Sequence, residues 1–267
     1  MGANWLDLTG KVFIVSGGAS GIGATIIDGL LNQGAYVVNA DLNSGTRTEE
    51  NLFFVKTDIS KAPEVENLVA QTLTKFGTID GLVNNAGINM PRLLVDAKEQ
   101  QGQYELSVTD FDQMVTINQK GTYLMAQAVG RILAQKKAGV IINMSSESGL
   151  EGSEGQSCYA ATKAALNSFT RSWAKELGKY NIRVVGIAPG IMEETGLRTQ
   201  IYEEALAYTR GISVTKLREG YSNTTTTPLG RSGKLSEVAD LACYLLSERA
   251  SYITGVTYNV AGGKTRG

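Results

Sequence analysis

Short apolar runs alternate along the chain with segments whose apolar residues recur at helical spacing. The runs predict strands at residues 12–16, 35–40, 52–56, 79–83, 140–144, 182–188 and 256–260. The helical spacing predicts helices at 24–32, 62–76, 110–136, from the Tyr159 region to about 179, and 236–247 with Ser236 as N-cap. Because each strand run is almost entirely apolar, we expect an α/β fold in which helices cover both faces of a seven-stranded parallel sheet.

Two long segments lack this regularity. Residues 88–108 are rich in charge and glutamine, which indicates either a functional loop over a site or an oligomer arm. Residues 191–228 are polar and only weakly periodic, and a long insertion after the carboxyl end of a strand is typical of a substrate lid. No repeat or linker divides the chain, so we predict one domain over residues 1–267, with the lid at about 191–228.

Composition restricts the partners and the compartment. The 267 residues carry 25 Lys plus Arg and 26 Asp plus Glu, a net charge of -1, which argues against nucleic acid. The apolar runs are shorter than the roughly 18 residues of a membrane helix, so no membrane is expected. The N-terminus lacks the basic and apolar regions of a signal peptide, and the two cysteines fit a reducing cytoplasm.

The chain contains no histidine. This excludes Ser-His-Asp hydrolysis, histidine general bases and His-ligated zinc, and we predict no metal site. Acid/base chemistry must therefore come from Tyr, Lys, Asp, Glu or Cys.

Three glycines follow the first predicted strand as Gly17-x3-Gly21-x-Gly23. This turn can cradle a pyrophosphate at a helix N-terminus, although packing glycines in a strand-to-helix turn are the alternative.

Asp41 ends the second strand, where a carboxylate can bond a ribose 2′-hydroxyl and repel a 2′-phosphate, so NAD is favoured over NADP. Asp41 could instead be a solvated turn residue. Asp58 could meet the adenine amino group or cap the next turn.

Residues 139–163 combine a strand, a hydroxyl-rich turn, a glycine-rich loop and a helix start. Tyr159 and Lys163 share one face of that helix, and Ser146 stands where the strand ends. A nearby ammonium would favour the phenolate and lower the tyrosine pKa from roughly 10. A surface helix is the alternative for this pair. Asn118, polar in mid-helix, is either a structural plug or part of a proton path.

The ordered set of Ser16 to Gly23, Asp58, Asn84-Asn85-Ala86-Gly87, Asn118, Ser146, Tyr159-x3-Lys163 and Pro189-Gly190 resembles the short-chain dehydrogenase/reductase family over nearly the whole chain. The resemblance implies a Rossmann-type doubly wound fold, with Tyr159 as catalytic acid/base and Lys163 holding the nicotinamide ribose. It implies that Ser146 bonds the reacting oxygen and that Asn118 anchors a relay water. Ser16 replaces the usual threonine, and Thr195 is displaced from the position usual after Pro-Gly.

With the resemblance, NAD is the expected cofactor and a homotetramer the expected assembly. The predicted catalytic residues are Asn118, Ser146, Tyr159 and Lys163. The predicted cofactor-binding residues are Ser16, Gly17, Ser20, Gly21, Ile22, Gly23, Asp41, Leu42, Asp58, Ile59, Asn85, Ala86, Gly87, Tyr159, Lys163, Pro189, Gly190 and Met192.

Within the family, segments beginning at residues 88, 117, 148, 189 and 224 and the C-terminal end resemble members that act on sorbitol 6-phosphate. This implies an NAD-dependent interconversion of D-sorbitol 6-phosphate and D-fructose 6-phosphate. Another NAD-dependent polyol or sugar-acid dehydrogenase and a non-catalytic NAD-binding regulator are the alternatives. A phosphosugar needs cations and hydroxyl acceptors. The predicted substrate-binding residues are Ser146, Tyr159, Arg92, Glu147 and Arg198, with Lys120, Arg210, Lys264 and Arg266 as further candidate cations and Glu151, Glu154 and Gln156 as candidate hydroxyl partners.

Overall fold

Parallel strands form the centre of the molecule. The structure, a computed structural model, describes residues 5–45, 49–222 and 226–265. In these ranges one sheet has seven strands, β1 (Val12–Ser16), β2 (Tyr36–Asp41), β3 (Leu52–Lys56), β4 (Gly81–Asn84), β5 (Gly139–Met144), β6 (Ile182–Pro189) and β7 (Thr257–Val260). Their order is β3-β2-β1-β4-β5-β6-β7, and each neighbouring pair is parallel. The predicted fold class is confirmed.

The strand order reverses between β1 and β4. From β1 the chain proceeds outward to β2 and β3, then returns to place β4 on the other side of β1. Ligands of open α/β sheets bind where the loops after two such strands diverge. A ligand is therefore expected at the turns after Ser16 and Asn84.

Helices cover both faces of the sheet. They are α1 (Gly21–Asn32), α2 (Ala62–Phe76), α3 (Val108–Val115), α4 (Thr122–Lys136), α5 (Ser148–Glu151), α6 (Ser157–Leu177), α7 (Gln200–Thr209), α8 (Val214–Ser222) and α9 (Leu235–Leu246). Phe13 and Val15 pack in a core cluster with α1 and α9, whereas Ile14 packs in a second cluster with α2, α4 and α6. Since neighbouring strand residues point to opposite faces, both faces of β1 are buried.

Most predicted boundaries agree with the structure to within three residues. β1, β3 and α2 match the prediction at both ends. The prediction that Ser236 caps the last helix is wrong, because α9 begins at Leu235 and Lys234 is its N-cap. The Lys234 N–H donates to the Glu237 carboxylate at 2.7 Å, which satisfies a free donor at the helix start.

The predicted helix over 110–136 is interrupted. Ser107 caps α3 by accepting from the Asp110 N–H, and a π-helical turn at Thr116–Gly121 joins α3 to α4. π-helical turns are frequent at functional sites. This turn contains Asn118, which is fully buried.

The segment after β6 is more regular than its weak periodicity predicts. It contains α7 and α8, which pack Leu206, Ala207 and Leu217 into a small apolar cluster of their own. Tyr208 of α7 donates to the Asp96 carboxylate at 2.7 Å, so the segment is joined to the loop at 88–107. We call residues 191–228 the lid segment below; its closure over substrate stays a prediction.

Candidate active site

The turn from β1 to α1 carries the glycine motif. Gly17 and Gly21 have φ values of +68° and +57°, which residues with a Cβ rarely adopt. A Cβ on Gly17 would lie 2.8 Å from the Ala86 Cα atom, and one on Gly23 would lie 2.1 Å from the Gly17 carbonyl oxygen. Ser20 is the N-cap of α1 but makes no capping hydrogen bond, and no acidic residue lies in the first turn. The helix N-terminus can therefore receive an anionic group.

Ser16 ties the ends of β1 and β4 together. Its hydroxyl accepts from the Asn85 and Ala86 N–H groups at 3.0 and 3.1 Å and lies 3.4 Å from the Val83 carbonyl. The side-chain Nδ2 atom of Asn85 donates two hydrogen bonds, to the carbonyls of Ser16 and Gly17, both at 3.0 Å. Ser16 is buried beneath the turn, and all three of these contacts are made by its hydroxyl oxygen. The serine therefore retains these contacts in place of the usual threonine.

A cavity of about 300 Å³ opens beyond this turn. That volume lies at the lower end of the range, about 300–1,000 Å³, of small-molecule sites. The predicted cofactor residues that line it are Gly17, Ser20, Gly21, Ile22, Asp41, Leu42, Asp58, Ile59, Asn85, Ala86 and Gly87. A phosphate cradle at a helix start, an apolar lining and a carboxylate at a strand end fit a dinucleotide.

Two carboxylates in this cavity have different environments. Asp41 accepts from the Ala19 N–H at 3.0 Å and from the Asn43 N–H at 3.2 Å, so it fixes the glycine turn against β2. Asp58 accepts from the Ser60 hydroxyl at 2.6 Å, and this bond is the largest cause of its lowered pKa. Asp58 thus caps the turn before α2, as one of the two sequence alternatives proposed, and it also lines the cavity.

Tyr159 and Lys163 lie on one face of α6, with the Lys163 Nζ atom 5.7 Å from the centre of the tyrosine ring. Nζ donates to the Met144 carbonyl at 2.8 Å, and burial lowers the pKa of Lys163 to about 8. Burial raises the pKa of Tyr159, and the neighbouring Ser146 hydroxyl only partly offsets this rise. The expectation that the ammonium lowers the tyrosine pKa is not met here, because Nζ faces the ring and Met144 and desolvation dominates.

Ser145 and Ser146 are adjacent but have different roles in the structure. Ser145 is buried, and its hydroxyl donates to the Lys163 carbonyl at 3.0 Å. Ser146 accepts from the Ser148 hydroxyl at 2.9 Å and from the Ser148 N–H at 3.3 Å. With its oxygen accepting these bonds, the Ser146 proton is left to be donated to another oxygen. Ser146, and not Ser145, therefore faces the tyrosine as a donor.

Asn118 clamps the chain after β4 to α6. Its Oδ1 atom accepts from the Ile88 N–H at 2.8 Å, and its Nδ2 atom donates to the Ile88 carbonyl at 2.9 Å and to the Thr162 hydroxyl at 3.0 Å. A Cβ on Gly87 would lie 3.1 Å from Oδ1 and 3.5 Å from the Lys163 Nζ atom. The structural role proposed from sequence is present, and the relay water stays a prediction.

A second cavity, of about 230 Å³, adjoins the first. Ser146 and Tyr159 line it, and Ile22, Thr195 and Leu197 line both cavities. The hydroxyl pair therefore belongs to the lining of the second cavity, next to the first one. The predicted cofactor residues Pro189, Gly190 and Met192 line this second cavity rather than the first. Lys163 and Gly23 line neither, since both are buried in the supporting structure.

The C-terminal end contributes to the second cavity. Lys264 pairs with the Glu147 Oε1 atom at 2.6 Å, and the Thr265 hydroxyl donates to Oε2 at 3.0 Å. Glu147 thus lines the cavity with its charge compensated, and its contact with substrate stays a prediction. Arg198 and Arg210 line the same cavity. Arg266 lies outside the described residues.

Arg92 does not reach this cavity, which corrects its predicted role. Its Nε atom pairs with the Asp110 carboxylate at 2.7 Å, and its Nη1 atom donates to the Pro91 carbonyl at 2.8 Å. This ion pair holds the guanidinium against α3, and Arg92 is not part of the lining of the second cavity. Lys120 is exposed on the π-helical turn and lines neither cavity.

Sequence reasoning missed two lid tyrosines and one threonine. Tyr202 and Tyr221 line the second cavity, and the Tyr202 hydroxyl accepts from the Gln156 amide at 3.0 Å. Thr162, the partner of Asn118, also donates to the Tyr159 carbonyl at 2.7 Å. Helical spacing from Tyr159 could have pointed to Thr162. The tyrosines carried no local signal, since their position depends on how the lid segment folds back.

Within the described ranges, no group of three or more Cys, Asp or Glu residues is arranged to hold a metal ion. In the same ranges, no helix has the length and apolar character needed to cross a membrane.

Comparison with known proteins agrees with this architecture. The family model described as short chain dehydrogenase matches residues 11–206. The chain is 64% identical over 265 residues to sorbitol-6-phosphate 2-dehydrogenase of Klebsiella pneumoniae, covering 98% of this chain and 99% of that protein. It is 36% identical over 264 residues to L-fucose dehydrogenase of Mus musculus, covering 97% and 90%.

Among solved structures, 3-ketoacyl-(acyl-carrier-protein) reductase of Brucella melitensis complexed with NADH superimposes with a TM-score of 0.80 at 30% identity, covering 97% of this chain and 100% of that one. The comparisons of sequence and of fold thus agree with each other. The chain belongs to the short-chain dehydrogenase family.

Proposed function

We propose that this protein interconverts D-sorbitol 6-phosphate and D-fructose 6-phosphate by hydride transfer, with NAD as the cofactor. The observation that carries the reaction type is the pair of hydroxyls of Ser146 and Tyr159 in the cavity next to the first one, with Lys163 buried beneath the tyrosine ring. The choice of sugar is supported by the 64% identity to sorbitol-6-phosphate 2-dehydrogenase of Klebsiella pneumoniae.

In this proposal the cofactor, when bound, supplies or accepts the hydride. Ser146 donates a hydrogen bond to the reacting oxygen of the sugar, since its own oxygen is already occupied by Ser148. Tyr159 gives its proton to that oxygen as the ketone is reduced and takes it back as the alcohol is oxidised. Burial favours the neutral phenol, so Tyr159 is ready to act as an acid. Lys163 lies beneath the tyrosine ring, and in our proposal it holds the nicotinamide ribose.

The residues of the first cavity fit NAD and would hold it at defined places. The N-terminus of α1 and the glycine turn would bind the pyrophosphate, and Asp41 would accept from the ribose hydroxyls. A 2′-phosphate would bring negative charge against that carboxylate. NAD is therefore preferred to NADP in our proposal.

Asp41→Ala tests this preference. We expect the ratio of kcat/KM for NADH to that for NADPH to fall at least tenfold, because the variant removes both the ribose acceptor and the repulsion. Asp58→Ala is the matched control, since it removes a carboxylate of the same cavity whose oxygen is occupied by Ser60. An unchanged ratio in Asp41→Ala would assign cofactor selection to another group.

The test of the proposed function is the rate of NADH oxidation with fructose 6-phosphate, with fructose, and with NADPH in place of NADH. We expect strong turnover only for the phosphate ester with NADH. Equal rates with fructose would favour a polyol dehydrogenase of the same family. Bound NADH without turnover of any sugar would favour a regulator.

We infer further that the protein acts in the cytoplasm as a homotetramer. The family resemblance supports the assembly, and two buried free cysteines fit a reducing compartment. Sedimentation velocity of the purified protein tests the tetramer directly, and a monomer would contradict it.

A further inference from the structure

We propose that Arg198 and Arg210 form the phosphate-binding subsite of the second cavity. This inference rests on the proposed function, because it assigns one end of the phosphosugar to named side chains. Both arginines belong to the lid segment. Arg198 lies two residues before α7 and Arg210 follows its last residue, and both line the cavity that contains Tyr159.

Contacts within the lid segment hold Arg198 in place. The centre of its guanidinium lies 3.8 Å from the centre of the Tyr221 ring, and its Nη2 atom donates to the Met192 carbonyl. An arginine stacked on an aromatic ring loses little further freedom when it binds an anion. Arg198 therefore presents its remaining N–H groups from a fixed position.

The positive charges of Arg210 and Arg198 both lower the pKa of Tyr202 and Tyr221. Burial raises the pKa of Tyr221 to about 12 and also raises that of Tyr202, and the charges of both arginines partly offset these rises. Both guanidinium groups belong to the same cavity lining as Tyr202 and Tyr221. Tyr159 belongs to this lining too, so the arginines and the catalytic hydroxyl face one cavity of about 230 Å³.

The charges of Arg198 and Arg210 are not compensated. Arg92 pairs with Asp110 and Lys264 with Glu147. Arg218 and Arg231 pair with glutamates in the same way. Among the described residues, no carboxylate lies within ion-pair distance of either Arg198 or Arg210.

Carboxylates of the cavity lining are directed elsewhere. Glu147 binds Lys264 and Thr265, and the Glu193 carboxylate accepts from the Leu235 N–H at 2.8 Å at the start of α9. Glu151, the other glutamate of the lining, is exposed. Two uncompensated guanidinium groups beside two tyrosine hydroxyls suit a phosphate dianion, because arginine binds phosphate oxygens in pairs.

The subsite also explains how a sugar ester can be oriented. Carbon 2 of the substrate must lie at Tyr159, and the phosphate is carried on carbon 6, at the other end of the molecule. Ser146 and Tyr159 come from the region between β5 and α6, whereas the arginines come from the lid segment, so the two groups contribute different parts of the lining. Binding of the phosphate would also draw the two ends of α7 toward the ligand.

The test compares Arg198→Gln and Arg210→Gln with the control Arg131→Gln, an exposed arginine of α4 outside both cavities. We expect each lid variant to raise KM for fructose 6-phosphate about 10- to 100-fold, as loss of a charge-assisted bond predicts, with a much smaller change in kcat. The control should match the wild type. Arg198→Lys and Arg210→Lys, which keep the charge, should recover part of the affinity.

A second measurement separates this inference from the proposed function. With NADH saturating the first cavity, inorganic phosphate should raise the melting temperature of the wild type and of Arg131→Gln, but not that of the double variant Arg198→Gln/Arg210→Gln. Retained stabilisation in the double variant would overturn the subsite, whether or not fructose 6-phosphate is a substrate. Unaltered NADH affinity in the double variant shows that it is folded. A third outcome separates the two proposals. If the wild type does not reduce fructose 6-phosphate, and phosphate stabilises the wild type but not the double variant, the proposed function fails and the subsite stands.

Discussion

The side chains of the site differ in which of their hydrogen-bonding groups and charges remain unpaired within the protein. The Ser145 hydroxyl donates to the Lys163 carbonyl, whereas the Ser146 oxygen accepts from Ser148 and its proton stays available on the side of Tyr159. Glu147 is compensated by Lys264, whereas Arg198 is not compensated by any carboxylate of the described residues. A residue's chemistry here follows from its hydrogen-bond partners more than from its type.

Tyr159→Phe should lower kcat by about 10²–10⁴-fold, the usual effect of removing a positioned proton donor. The ring remains, so NADH affinity measured by fluorescence titration should largely survive. Tyr180→Phe is the control, because Tyr180 is exposed beyond the end of α6. Loss of NADH binding in Tyr159→Phe would instead make the residue structural.

Lys163 should make stability depend on pH. Burial lowers its pKa from 10.5 to about 8, so between these values the unfolded chain binds the proton that the folded chain has released. The free energy of unfolding should therefore rise with pH across this window, and this gain is lost as the pH falls through about 8. Urea unfolding at several pH values should show a shallower rise for Lys163→Met than for wild type.

Lys175→Met provides the comparison for that experiment, since Lys175 is an exposed lysine of the same helix. Its pH dependence should equal that of the wild type. An identical slope in wild type and Lys163→Met would show that Lys163 keeps an ordinary pKa.

At the scale of elements, the lid segment is attached to the loop at 88–107 by side chains 112 residues apart in sequence. The Tyr208 hydroxyl donates to Asp96, and the Tyr104 and Tyr208 rings stack with centroids 4.2 Å apart. Asp96 is 1% exposed, and its bond to Tyr208 is the largest cause of its lowered pKa. The hydrogen bond and the stacked rings therefore connect α7 to a loop that begins directly after the cofactor strand β4.

Tyr208→Phe removes the bond to Asp96 and keeps the stacked ring. We expect KM for fructose 6-phosphate to rise several-fold while kcat changes less, because the lid segment loses an anchor but the reacting groups do not move. We also expect the free energy of unfolding to fall, since the Asp96 carboxylate loses a hydrogen-bond donor.

Tyr104→Phe is the matched control in both assays, as it preserves the ring on the opposite side of the stack. A lower stability with unaltered KM in Tyr208→Phe would show that the anchor supports the fold without positioning the lid segment.

For the whole molecule, the sheet separates two apolar clusters, and both depend on the strands that carry the site. Leu82 of β4 is fully buried in the cluster with α2, α4 and α6, two residues before Asn84. The first cavity therefore rests on a packed core, which holds the loops after β1 and β4 in register.

Leu82→Ala should lower the free energy of unfolding by about 2–5 kcal/mol, the usual cost of a buried leucine with its cavity. Leu94→Ala, at a side chain that is 76% exposed, should have almost no effect. Urea unfolding followed by circular dichroism measures both. Equal stability of the two variants would mean that the cluster repacks around the lost side chain.

The site could be predicted only where its residues carry local signals. Gly17, Asp41 and Asn85 stand at strand ends in a strict order, and Tyr159 and Lys163 have helical spacing; the structure places them around or beneath adjoining cavities. Arg92 was assigned to substrate because it follows the cofactor strand. Its ion pair with Asp110 could not be inferred, since that contact depends on how α3 packs.

The sequence by itself determined the strands, most of the helices, the glycine turn and the hydroxyl chemistry, because apolar periodicity and residue order are local properties. Only the tertiary structure decided which charges remain free. Lys264 meets Glu147 across 117 residues and Arg198 stacks on Tyr221, whereas Arg210 stays uncompensated among the described residues. These pairings arise when the lid segment and the C-terminal end fold back over the sheet, so the charges left free in the second cavity are a result of packing.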